Sequence, residues 1–218
     1  MKSLALAATA SIALAIGTIT AAPAILAQDA PEFPGTPDPD RVTAGTYALD
    51  PAHTLVSWGV DHFGFNDYFG LFGAITGTME MDPENISDAE FEIKIPIANV
   101  TVANAGLKEH LLRPGKDGAA PDFFGSDPGM ATFTSTKVTK LTALRAKVDG
   151  DLTMNGKTGP VSLAVTFTGA GTNPFSKQET VGFHARAKFD RTKWGLTYGQ
   201  GLIGNDVDLT ISAAFEKQ

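Results

Sequence analysis

The chain has 218 residues, no cysteine and a formal charge of −7, with a pI near 5.0. That length suits one domain, or one domain with an export segment and a linker, and the missing thiols exclude a disulfide framework, a thiolate metal site and a cysteine nucleophile. The acidic balance argues against nucleic-acid binding through phosphates and against docking on anionic membranes by charge alone, and no P-loop, dinucleotide fingerprint or GxSxG elbow is present.

Residues 1–27 carry one early Lys2, an apolar run from Leu4 to Ile19, then small residues around Ala22-Pro23-Ala24 and Ala27. That layout reads as a cleaved signal peptide; a membrane anchor or a buried helix is the other reading, but the run is short and rich in Ala and Thr. Cleavage is expected after Ala27, with Ala24 second. Removing Lys2, the only charged residue of the segment, takes the charge from −7 to −8. With no Cys to acylate, a lipoprotein is excluded, and the product is expected in a bacterial periplasm. Residues 28–44 contain Pro31, Pro34, Pro37 and Pro39 and read as a disordered linker with no role beyond spacing.

The domain, 45–218, opens on Val56, Trp58 and Val60 alternating with Ser57, Gly59 and Asp61, a strand with one buried face, preceded by the Asp50-Pro51 turn. Phe63, Phe65, Tyr68, Phe69 and Phe72, interrupted by Gly64, Gly70 and Gly73, predict a curved sheet with an aromatic inner face. A strand is expected over 72–81, a turn at Asp82-Pro83, and a half-buried antiparallel strand over 87–96, where Phe91, Ile93 and Ile95 alternate with charged residues. Residues 102–112 form the one candidate helix, stopped by Pro114-Gly115, and Arg113 to Asp122 is a loop. Strands follow over 130–138 and 146–154; Asn155-Gly156 then turns the chain into Val161, Leu163, Val165 and Phe167. Val181 to Phe189 and Val207 to Phe215 supply the last two inward faces. Periodicity alone leaves a sandwich and a barrel both open.

Tyr47, Leu49, Asp50, His53-Thr54, Val56, Trp58, Val60, His62, Gly64 and Gly70-Leu71-Phe72 resemble the opening motif of the YceI-like family. His110-Leu111, Asp122-Phe123-Phe124, the hairpin at Gly150, Leu152-Thr153, Gly156 and Val161, and Arg191 to Gly195 match further motifs in the same order. The RPGKDGAAP segment between helix and aromatics is longer than the family's. The resemblance implies an all-β, eight-stranded antiparallel, lipocalin-like β-barrel with one short helix, which is wide enough for one ligand. It further implies a periplasmic, non-enzymatic binder or carrier of a polyisoprenoid or isoprenoid-quinone lipid, linked to transport and stress response. Its expected partners are that lipid, a membrane cytochrome b and a second copy of the chain.

The candidate lining is Trp58, Val60, His62, Phe72, Ile93, Phe133, Leu152, Phe167, Phe183 and Phe215. On the residues alone this apolar set reads first as packed core; the resemblance turns it into the wall of an elongated cavity, kept open by Gly59, Ala74, Gly77, Ala164, Ala185 and Ala187. No metal or resident cofactor is expected: the chain has no HxH or HExxH, His53 suits a corner, and His184 has outward parity. Asp50, Asp61, Asp122 and Asp151 show no acid/base spacing, so catalysis is not expected. Two alternatives stand: an enzyme using His62 and a nearby Asp, and a ligand-free interaction module working through the Arg113 to Asp122 loop. A diphosphate head group would require Arg113, Lys116, Arg191 or Lys193 at the rim; a quinone or amide would not.

Overall fold

A computed structural model describes residues 32–218, so the expected signal peptide lies outside the described residues. The alternating runs become β1 (Gly45–Leu49), β2 (Leu55–His62), β3 (Asn66–Phe72), β4 (Thr76–Met81), β5 (Glu90–Pro96), β6 (Met130–Lys140), β7 (Arg145–Met154), β8 (Lys157–Thr172), β9 (Glu179–Asp190) and β10 (Ile203–Lys217). One helix, α1 (Ala105–Leu112), lies between β5 and β6. Every named pairing is antiparallel, in the order β1-β4-β5-β6-β7-β8-β9-β10, and a β1–β10 pairing closes the ring. The β1–β10 closure removes the free edges those two strands would expose in an open sheet, while β3 ends the strand order with only the isolated Leu71–Thr101 bridge on its outer side.

The ten segments form the eight staves of a barrel because two staves are bent. β1 and β2 both lie against β10, with Leu49 opposite Phe215 and Leu55 opposite Ser212; β3 and β4 run alongside them. The first bend, at Asp50 to Thr54, is held by Ala52 N donating to Asp50 Oδ1 at 2.9 Å and by His53 Nδ1 lying 2.5 Å from Asp50 Oδ2. His53 thus has the corner role its position predicted. The second bend falls inside the strand expected over 72–81. Ala74 takes a φ of 54°, which turns the chain out of the extended region and divides that strand into β3 and β4.

The sequence's alternation is the barrel's inside and outside. On β5, Glu90, Glu92 and Lys94 are exposed while Phe91, Ile93 and Ile95 turn inward. Asn155 and Gly156, at φ 51° and 69°, make the two-residue turn joining β7 to β8, and His184 is exposed on β9. The helix begins at Ala105, not at Val102, because the Asn104 side chain caps it by accepting from Leu107 N at 3.0 Å.

The described part of the expected linker does not run free. Thr36 and Ala170 exchange both backbone hydrogen bonds, at 3.1 and 2.9 Å, so the chain lies across β8. The approach is so close that a Cβ on Gly171 would meet the Pro34 carbonyl oxygen at 2.0 Å. Proline spacing forbids a helix here, but four prolines do not forbid an extended strip from docking on a neighbouring strand.

The strip is pinned again where it enters β1. Tyr47 is fully buried, and its hydroxyl lies 2.5 Å from the Thr43 carbonyl and 2.6 Å from Glu179 Oε1. Glu179 also accepts from Thr43 N and Oγ1 at 2.8 and 2.7 Å. Burial and the Glu179 contact push Tyr47 up to about 12. Burial alone would raise Glu179, but the hydrogen bonds from Tyr47 and Thr43 outweigh it and hold that carboxyl below its usual 4.5. A depressed carboxyl adds stability above its unfolded value, lost as pH falls through the folded one; a raised phenol adds stability below 10.0, lost as pH rises through about 12. Glu179→Gln is therefore expected to shrink the acid limb of a Tm-against-pH curve and Tyr47→Phe its alkaline limb. Limbs that stay unchanged in the variants would show that the cluster carries no linkage.

Candidate functional site

Inward side chains in a filled barrel are fully buried. Here Ile93, Leu163, Val165, Phe183, Leu209 and Ile211 all face inward yet are only half-buried, because the space they face is open. A middle chamber of about 120 Å³ is enclosed by Val56, Phe91, Ile93, Phe133, Leu152, Ala185, Ile211 and Phe215 among others, and its wall presents no polar surface. The Thr54 hydroxyl beside it is turned to the backbone, accepting from Ala214 N at 3.2 Å. A mouth chamber of about 470 Å³ shares Leu209 with the middle one. A far chamber of about 90 Å³ shares Phe91, Val148, Val165 and Phe183 with it. The shared residues place the middle chamber next to both of the others.

The ten candidate residues fall among these chambers in three groups. Trp58, Val60, His62 and Phe72 line the mouth chamber; Ile93, Phe133, Leu152, Phe183 and Phe215 line the middle one. Phe167 lines only the far chamber, with Phe183 shared. The small residues behave differently from expectation. Ala185 does widen the middle chamber, but Gly59 lies beneath the outward Phe69 ring, and Ala164 and Ala74 are exposed.

The mouth contains residues outside the candidate lining: Leu107, His110 and Leu111 from α1, then Phe123, Phe124 and Tyr198, together with Tyr68 of the expected aromatic inner face. Helix and aromatic pair are fastened together by Phe124 N donating to the Leu111 carbonyl at 3.0 Å. Asp122 then accepts from both His110 Nε2 and Arg113 Nη2, each at 2.8 Å. Arg113 and then His110 hold the Asp122 carboxyl below the usual carboxylate range. The His110, Phe123 and Tyr198 rings meet at centroid distances of 4.9 to 5.3 Å, and Phe124 meets Phe72 edge-on at 6.3 Å. The signal that could have located this lid was in the chain, as His110-Leu111 and Asp122-Phe123-Phe124, but its docking surface on the barrel was not.

Two expectations are corrected here. The proposed rim of free cations does not form: Arg191 is 3% exposed, its Nε donating to Gly204 O at 2.8 Å, Nη2 to Ile203 O at 3.1 Å and Nη1 to Leu196 O. Arg113 is paired with Asp122, and Lys116 and Lys193 are exposed and line no part of the mouth chamber. His62 likewise has no carboxylate partner among the described residues; the His–Asp pair at the mouth is His110–Asp122, with Arg113 already on the same oxygen.

Trp58 lies flat across Gly70, its cross-strand partner, and a Cβ there would sit 2.3 Å from the indole. Only glycine at this position lets the ring lie against the wall. Trp58 Nε1 and Tyr68 Oη are both enclosed, and neither has a hydrogen-bond partner. No group of three or more His, Asp or Glu among the described residues could hold a metal ion.

The family model for the YceI-like domain matches residues 47–215. Protein YceI of Shigella flexneri is 30% identical over 172 residues, 78% of this chain and 85% of its own length. Among solved structures, Burkholderia cenocepacia BcnA superposes with a TM-score of 0.64 at 19% identity, covering 76% of this chain and 98% of that one. A polyisoprenoid binding domain from Saccharophagus degradans, implicated in plant cell wall breakdown, aligns with a TM-score of 0.53 at 12% identity, covering 79% and 98%. At such identities the structural likeness is one of fold.

Proposed function

The chain belongs to the YceI-like family, and from that premise we propose that it is a binding and carrier protein for a long-chain polyisoprenoid-type lipid, an isoprenoid quinone in our reading, which it shields in the periplasm. The observation that carries this is the line of three chambers, whose middle section is walled by hydrocarbon alone. A water-insoluble tail gains about 0.8 kcal/mol for each CH₂ it buries, so such a channel holds a tail without polar contacts. The mouth chamber, by contrast, combines aromatic walls with a few polar atoms, the composition of a site that selects a head group. The polyisoprenoid binding described for the Saccharophagus degradans domain, which has the same fold, supports the same ligand class.

The test is native mass spectrometry of the protein purified from an exporting host, followed by organic extraction. A bound species of polyprenyl or isoprenoid-quinone mass is the expected result. A clean apo mass, with no uptake of offered long-chain lipids, would return the aromatic lining to plain core.

A further inference from the structure

The end of the barrel away from the mouth is covered in part by residues that precede the family-matched span 47–215. Position along the barrel can be read from single strands. On β7 the inward residues pass from Met154 in the mouth chamber to Leu152 in the middle one. Val148 then belongs to both the middle and far chambers, and Ala146 to the far one alone. The same order runs along β8, where Val161 and Leu163 line the middle chamber, Val165 is shared and Phe167 lines the far one. The far chamber therefore lies at the end of the barrel where β7 begins, opposite α1. There it is covered by the β6–β7 turn through Leu144, the β4–β5 connection through Ile86, and the N-terminal strip through Pro39 and Val42.

The strip is fastened on both sides of that contact. Pro39 and the Asp38 side chain, which accepts from Asp40 N at 3.1 Å, start a single 3₁₀ turn over Pro39–Arg41. Val42 N closes the turn by donating to the Pro39 carbonyl at 3.1 Å, and Val42 is 8% exposed. Before the turn, Thr36 pairs with Ala170 on the flank of β8 that β7 leaves free beyond Thr166. Arg41 Nη1 donates to Thr36 Oγ1 at 2.8 Å and ties the turn back to that bridge. After the turn, Thr43 is held by Glu179. Ordering such a segment has an entropic cost that a plain spacer avoids.

We infer that the strip from Pro34 to Val42 is the end-stop of the lipid tunnel, with Pro39 and Val42 limiting the length of isoprenoid tail that the barrel accepts. The inference rests on the lipid-binding reading above and adds to it a length class. From Met154 to Ala146 the wall covers roughly 26 Å of strand at about 3.3 Å per residue, or roughly 20 Å of barrel height at a strand tilt of about 40°. That height matches an extended geranylgeranyl chain and falls well short of a solanesyl chain.

Farnesol, geranylgeraniol and solanesol, delivered from cyclodextrin to the whole protein in competition with a fluorescent prenyl analogue, test it. In the wild type, affinity is expected to rise from farnesol to geranylgeraniol and to rise no further at solanesol. Gly171→Val is expected to displace the strip, since a Cβ there meets the Pro34 carbonyl oxygen at 2.0 Å. It should tighten solanesol by at least about tenfold, the effect of burying roughly two more methylenes, and leave farnesol unchanged. Val42→Trp should act in the opposite sense, weakening geranylgeraniol by about tenfold and again leaving farnesol unchanged. Should Gly171→Val fail to fold, Thr36→Pro deletes the N–H that pairs with Ala170 and gives the same answer. Solanesol that outbinds geranylgeraniol in the wild type, or a length preference unmoved in the variants, overturns the inference while leaving lipid binding in place. If none of the three alcohols binds, the lipid reading and the inference fall together.

Discussion

Replacing Ala185 with phenylalanine is expected to abolish binding of lipid tails that must pass beyond the mouth chamber, while tails short enough to remain in it bind as before. Ala185 is 7% exposed, points inward from β9, and stands in register between Val165 of β8 and Ile211 of β10, at the wall of the middle chamber. A ring in place of its methyl group enters a space of only about 120 Å³. Barring as few as four methylenes from that space forfeits about 3 kcal/mol at ~0.8 kcal/mol each, more than a hundredfold in affinity. The fold should tolerate the change, because overpacking costs about 1–3 kcal/mol against a typical domain stability of about 5–15 kcal/mol. Ala164→Phe is the matched control: this alanine is exposed on the outside of β8. A series of isoprenoid tails of rising length, titrated into both variants, separates the outcomes. If long tails bind Ala185→Phe as well as they bind the wild type, the tail does not run through the barrel.

The period-of-two pattern carried most of the architecture because one face of each stave meets hydrocarbon and the other meets water. Phe91, Ile93 and Ile95, or Val181, Phe183 and Ala185, could be placed inward from spacing alone, and all ten candidate residues lie on one or another chamber wall. Spacing could not distinguish a wall from a core. Ile211 has the same identity and parity in a filled barrel as in a hollow one, and only the side chains opposite decide which it is. The mouth was hidden for a different reason. Phe123, Phe124 and Tyr198 come from irregular segments with no period, brought together by contacts such as Asp122 with His110 and Arg113 across 12 and 9 residues. The misreading of Arg191 is of this kind as well: a basic residue beside a turn reads as surface charge until the three carbonyls around it are seen.

Those carbonyls make Arg191→Met the substitution expected to damage stability most. Leu196, Ile203 and Gly204 come from the loop after β9 and the start of β10, and one guanidinium gathers their oxygens from a site that is 3% exposed. Burial lowers the Arg191 pKa from its usual value, and the Asp190 carboxylate pushes it back up, so the cation is retained at a site that disfavours charge. A buried acceptor left without its donor costs about 1–3 kcal/mol, so losing the hub should cost about 4 kcal/mol or more. For a domain of this size that corresponds to a Tm lower by about 8–16 °C. Arg191→Lys should recover only part of the loss, since an ammonium on a flexible stem does not reproduce a planar fork directed at three separate carbonyls. The rival role, a rim cation for an anionic head group, predicts the reverse pattern: unchanged Tm, weakened diphosphate binding and near-complete rescue by lysine. Thermal melts of the two variants decide between them.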